Sequence, residues 1–183
     1  MTRAFLPAVA ALMLLAGCTA AAGSGTDDDT PSPFAACAAP ADSTGSRLPD
    51  ITLDCFTGGA PVRLAGLRGP AVINIWSSFC GPCRTELPVI QQLADKTAGK
   101  LTVLGVDTGD TRDAAASFGA DHGVSLPTLF DPEQKLVAAL GAVNLPNTVF
   151  VDATGKFYLH RLPMDAAELS DLVAEHTGVT VPR

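Results

Sequence analysis

Cys80-Gly81-Pro82-Cys83 places two thiols one helical turn apart, at a point where the chain changes character. Before it, Ala71–Trp76 is a nearly continuous apolar run rich in β-branched residues, as expected of a strand buried on both faces. After it the pattern predicts a helix to about Ala98, kinked at Pro88. Cys80 then falls at a helix N-terminus, where unpaired N–H groups and the positive end of the dipole favour a thiolate. Gly81 and Pro82 suit a first turn, because Pro there lacks no needed donor. Cys83, one turn further in, is shielded yet within reach of Cys80. Such a pair can exchange disulfides: Cys80 attacks or is attacked by a partner, and Cys83 resolves the mixed disulfide. Structural zinc, the other use of a CxxC, needs a second closely spaced pair of Cys or His. Cys37 and Cys55 are not such a pair, and His122, His160 and His176 are scattered, so no metal and no cofactor is expected.

Around these cysteines Trp76, Cys80, Pro82, Cys83, Arg84, Glu86 and Pro88 spell Trp-x-x-x-Cys-x-Pro-Cys-Arg-x-Glu-x-Pro. This resembles the membrane-tethered TlpA-like (ResA-like) branch of the thioredoxin superfamily. The resemblance extends from about Leu48 to Gly178 and includes Val103-Leu104-Gly105-Val106 and Leu126–Asp131. It implies an α/β thioredoxin fold, a central mixed β-sheet flanked by helices, with an N-terminal β-hairpin extension.

The same resemblance implies site residues. Asn144–Phe150 matches the segment with the family's cis-proline, so Pro146 is expected to be cis; a trans turn proline is the alternative. Leu145 and Pro146 would lie against the CxxC and, with Trp76, Gly81 and Pro82, meet an extended substrate. Trp76 is expected first to fill the core. Thioredoxins themselves carry a buried Asp six residues before the first cysteine; here that position is Asn74, which cannot move a proton. Glu86 matches a Glu near the active site of TlpA-like reductases. It is expected to tune the thiols or relay the proton of Cys83, against the alternative of a solvent-facing carboxylate paired with Arg84.

The rest of the domain must hold this site in place. Ile51–Phe56 alternates apolar and polar, and Gly58-Gly59 turns it into a short second strand, Pro61–Leu64. Leu101–Val106 reads as a buried strand and Thr111–His122 as a helix with Thr111 near its N-cap. Asp131-Pro132-Glu133 should open a helix reaching Leu140, with Gly141 as its stop. Thr148–Val151 and Lys156–Leu159 form a hairpin around Asp152–Gly155, and Asp165–His176 is a last helix.

The N-terminus is of another kind. Arg3, the apolar run Ala4–Leu15 and the small residues after it make a secretory signal, too short to span a bilayer comfortably. Leu15-Ala16-Gly17-Cys18 resembles the bacterial lipobox, which implies a lipoprotein signal peptide over 1–17 and a lipid on Cys18; an ordinary signal cleaved near Ala20–Ala22, giving a secreted protein, is the alternative. Residues 18–40, rich in small and polar residues with Asp27-Asp28-Asp29, are expected to be a flexible tether, and 41–183 the thioredoxin-like domain.

With Cys18 set aside, Cys37, Cys55, Cys80 and Cys83 allow three connectivities, and the tight CxxC leaves Cys37 with Cys55. That bridge would stabilise by roughly 3 kcal/mol in the chain-entropy model. No charged neighbour of Cys37 would lower a thiol pKa, so it reads as structural rather than as a second redox pair.

Loss of residues 1–17 would take the net charge from −7 to −8, which speaks against nucleic-acid binding. The leading function is an extracytoplasmic, membrane-anchored reductase of protein disulfides. By resemblance its clients would include apocytochrome c, and its electrons would come from a membrane thiol carrier of the CcdA or DsbD kind. A disulfide-forming oxidase differs only in reduction potential. A peroxiredoxin fits poorly, since Ser77 occupies the Thr of Thr-x-x-Cys, and a copper chaperone of the Sco type would use CxxxC. Nothing demands more than a monomer.

Overall fold

The computed structural model describes Met1, residues 32–38 and residues 45–182. Apart from Met1, the expected signal peptide, Cys18 and the tether as far as residue 31 lie outside the described residues. The strands are β1 (Thr52–Cys55), β2 (Val62–Arg63), β3 (Ala71–Trp76), β4 (Thr102–Thr108), β5 (Thr128–Asp131), β6 (Asn147–Val151) and β7 (Phe157–His160). The helices are α1 (Gly81–Lys96), α2 (Arg112–His122), α3 (Lys135–Ala139) and α4 (Ala166–Thr177).

The strands form one sheet ordered β2-β1-β5-β4-β3-β6-β7. β3 runs parallel to β4 and antiparallel to β6, and β4 runs parallel to β5. All six residues of β3 are buried, which explains its unbroken apolar run. The β1–β2 hairpin joins the edge antiparallel to β5. This is the mixed α/β sheet with a hairpin extension that the family resemblance implied.

Two cores sandwich the sheet. One packs Val72, Val103 and Phe150 against Leu87 and Ile90 of α1, Phe118 of α2 and Leu169 and Val173 of α4. The other packs Ile73, Ile75, Leu104, Val106 and Val149 against Leu64 and Leu136 of α3. Successive strand residues alternate between them, as the two-residue period of a strand requires.

One strand was not expected, and three expectations change. Thr128–Asp131 is a strand; its local pattern is too short to declare it, and pairing with β4 on one side and β1 on the other makes it one. α3 starts at Lys135 rather than at Asp131, because Asp131 stays in β5 and its carboxylate accepts from the N–H groups of Lys135 and Leu136 at 2.9 and 3.0 Å. Leu64, expected to end the second strand, opens a 3-10 turn over Leu64–Gly66. Residues 32–38, assigned to the tether, pack on the domain: Phe34 is buried in the first core and Ala35 N donates to Ser125 O at 2.8 Å.

Candidate active site

β3 ends at Trp76, and the loop Ser77-Ser78-Phe79 turns the chain into α1. Cys80 is the N-cap of that helix, and its sulfur accepts from Cys83 N at 3.2 Å. Pro82 lies in the first turn, where its missing donor costs nothing. α1 continues through Pro88 to Lys96. Cys80 and Cys83 are disulfide-bonded, with Cα atoms 5.3 Å apart. Cys80 is 9% exposed and Cys83 1%, so the first cysteine alone meets solvent to any extent.

Cys80 and Pro82 line a groove of about 510 Å³ together with Phe79, Thr108, Val143 and Leu145. No ionisable side chain other than the cysteine lines it. Phe79 and Val143 are 68% and 92% exposed, an apolar rim on a protein of net charge −7. The Leu145–Pro146 peptide bond is cis. Thus Cys80, Pro82 and Leu145 are brought together, while Trp76 is fully buried and backs the site rather than facing the groove. Gly105 makes room for its indole: a Cβ there would stand 3.0 Å from Trp76 Nε1.

Glu86 is buried, which removes the solvent-facing alternative. Its carboxylate accepts from Asn74 Nδ2 at 2.8 Å and from Met164 N at 3.0 Å, and Asn74 Nδ2 also donates to Thr148 Oγ1 at 3.0 Å. Burial pushes the Glu86 carboxyl above its usual range, against the pull of those two donors. Arg84, its expected partner in the alternative, instead donates to Ser78 O at 3.1 Å and lies 5.1 Å from the Phe118 ring centre.

Two carboxylates were not singled out from the sequence. Asp110 accepts from Ser78 N at 2.6 Å and from Ser77 Oγ at 3.0 Å, tying down the loop before Cys80. Burial works to raise its pKa, but these donors and Thr111 N hold it below the ordinary value. Asp107, opposite Trp76 in the β3–β4 register, is fully buried and neither of its oxygens has a hydrogen-bond partner. Burial first, then the nearby Asp110 charge, pushes it up to about 9 against the opposing Arg112, so it is protonated at neutral pH. The one sequence signal for Asp107 is a charge inside an apolar strand.

Away from the groove, Cys37 and Cys55 are disulfide-bonded with Cα atoms 5.8 Å apart. His122 stacks on Phe118, and His160 lies 3.9 Å from Glu168. Among the described residues no cluster of His, Cys, Asp and Glu could hold a metal, and no helix is long and apolar enough to cross a membrane.

The chain is similar to known proteins. The ResA thiol-disulfide oxidoreductase of Bacillus subtilis is 30% identical over 117 residues, covering 62% of this chain and 64% of its own. The DsbE homologue of Paracoccus denitrificans, a thiol:disulfide interchange protein, is 32% identical over 127 residues, covering 68% of each chain. The chain thus spans about two thirds or slightly less of these relatives. A secreted Mycobacterium tuberculosis disulfide oxidoreductase homologous to E. coli DsbE superposes with a TM-score of 0.62 at 28% identity, over 69% of this chain and 96% of that one. The sheet and its helices are therefore a thioredoxin-like fold. The AhpC/TSA family matches residues 44–159, more than half of the sequence, and the chain belongs to that family of the thioredoxin superfamily.

Proposed function

We propose that the protein is an extracytoplasmic thiol-disulfide oxidoreductase that reduces disulfides in client proteins. The observation that carries this is the Cys80–Cys83 disulfide at the N-terminus of α1, its first cysteine opening into an uncharged groove lined across from it by Leu145.

In the reduced protein Cys80 would react as the thiolate, held by the N–H of Cys83 and the helix dipole. It attacks a client disulfide sulfur, forming a mixed disulfide and releasing one client thiolate, which takes up a proton. Cys83 then loses its proton and attacks Cys80 Sγ, forming the Cys80–Cys83 disulfide and releasing the second client thiol. Two electrons have passed to the client. Glu86, three residues beyond Cys83 and with an elevated pKa, is suited to accept the proton of Cys83. The cis Leu145–Pro146 bond and the rim of Phe79 and Val143 suit an extended, apolar client segment. Apocytochrome c is the client class suggested by the family motif, and a membrane thiol carrier of the CcdA or DsbD type is the electron source. Action near the membrane would follow from a lipid on Cys18, which the mass of the mature protein tests.

The direction of flow is tested by the equilibrium reduction potential of Cys80–Cys83 in a glutathione or dithiothreitol series. A value near or below about −220 mV supports a reductase, and one near −120 mV makes the protein a disulfide-forming oxidase. A pair that never cycles refutes both.

A further inference from the structure

Residues 32–38 form a strap across the face of the domain that backs the active-site loop. Phe34 meets Phe56 and Trp76 edge-on, with ring centres 4.8 and 5.9 Å apart. Gly119 of α2 makes the notch for it: a Cβ there would stand 2.8 Å from Phe34 Cζ and from Pro33 Cγ. Three residues beyond Phe34, Cys37 is bonded to Cys55 at the end of β1. Trp76 in turn packs 5.5 Å from Phe118, Arg84 lies over that ring, and Arg84 donates to Ser78 O. The contacts run Phe34, Trp76, Phe118, Arg84, Ser78, ending two residues before Cys80.

We propose that Phe34 is a positioning residue for Cys80–Cys83 exchange, clamped onto Trp76 by the Cys37–Cys55 disulfide. The inference rests on the oxidoreductase reading above. Beyond one buried large side chain and the Ala35 N–Ser125 O hydrogen bond, the short strap has little to hold it against the entropy of release. The disulfide supplies that constraint by removing alternatives open to the chain. Withdrawal of Phe34 would leave a cavity against Trp76, and cores relax only partly around a cavity. The last residue of β3 and the Ser78 carbonyl would then lose their backing. Opening the clamp takes two electrons and two protons from an external dithiol: the Cys37–Cys55 bond breaks to two thiols, and the dithiol closes to its own disulfide. The two disulfides have opposite duties, one staying closed while the other cycles.

Trp76 is the sole tryptophan, so its fluorescence reports this contact directly. The full-length protein, the Cys37→Ser/Cys55→Ser double variant, Phe34→Ala and Phe34→Leu are compared by tryptophan emission and by the equilibrium constant of Cys80–Cys83 with dithiothreitol. The double variant and Phe34→Ala should shift the emission to the red and move the equilibrium constant by about threefold or more, with Phe34→Leu restoring most of both. An unchanged emission and equilibrium constant in folded Phe34→Ala overturns the proposal. If the double variant fails to fold, Phe34→Ala, with the clamp intact, decides by itself. A wild type that does not cycle with dithiothreitol refutes the oxidoreductase reading instead, and shows this before any variant is compared.

Discussion

Asn74 Nδ2 donates to Glu86 Oε2 across 2.8 Å, joining the strand that ends at the CxxC loop to the helix that begins there. A neutral amide on β3, a strand with no acid of its own, thus holds a buried carboxylate against the core. The ionisable group here is Glu86 of α1, three residues past Cys83. Its charge state bears on the chemistry that follows.

Glu86→Gln should slow disulfide exchange by roughly a hundredfold, the lower end of the range for a lost proton acceptor. The pH dependence attributed to Glu86 should vanish with it, because Gln does not titrate. Stopped-flow exchange rates measured from pH 5 to 9 check this. Equal rates and an unchanged profile would remove Glu86 from the mechanism.

Cys83→Ser should leave Cys80 able to attack and unable to finish. Turnover should fall below about 1% of wild type, and a mixed disulfide with the client should accumulate. Intact mass spectrometry after quenching with acid reads the adduct. Cys80→Ser should give no adduct, since Cys83 is shielded.

Phe79 and Val143 rim a groove that carries no formal charge. Val143→Asp should raise KM for a protein disulfide by roughly tenfold, equivalent to about 1.4 kcal/mol of lost docking. Reaction with dithiothreitol, which is too small to reach the rim, should keep its rate. A loss shared equally by both substrates would mean that the substitution disturbs Cys80 itself.

Asp107 links pH to stability. Its folded pKa of about 9 lies far above the ordinary 3.8, so the native state binds the proton more tightly than the unfolded chain does. Stability from this group is full below about pH 4 and declines as pH rises toward about 9, by at most ~1.4 kcal/mol per pH unit. Glu86, raised in the same sense, adds to the decline. Asp107→Asn should flatten the fall in urea-unfolding free energy between pH 5 and 8, even though its buried amide would also lack partners. A variant as pH-sensitive as wild type would show that Asp107 is not held neutral.

Most of the site was written locally. A strand-to-helix junction at Trp76–Cys83 follows from an apolar run meeting Gly-Pro between two thiols, and the chain folds there as that pattern requires. Thr111 and Asp165 cap their helices through side-chain oxygens, a preference that needs no distant partner. The Gly141 stop, with φ of +60°, is equally local.

Tertiary structure decided what depends on residues far apart in the chain. Glu86 could have faced water; it is buried because Asn74 and Met164 N, 12 and 78 residues away, supply its donors. Thr128–Asp131 became a strand because β4 and β1 flank it, and this kept Asp131 out of α3. Phe34 lies in a stretch of small residues and is buried because Gly119, Phe56 and Trp76 give it a pocket. Helical turns, caps and strand runs are set by interactions within a few residues, so a sequence displays them. Burial, and with it the charge of a carboxyl, is set by which surfaces meet across the sheet, and only the folded chain brings those surfaces together.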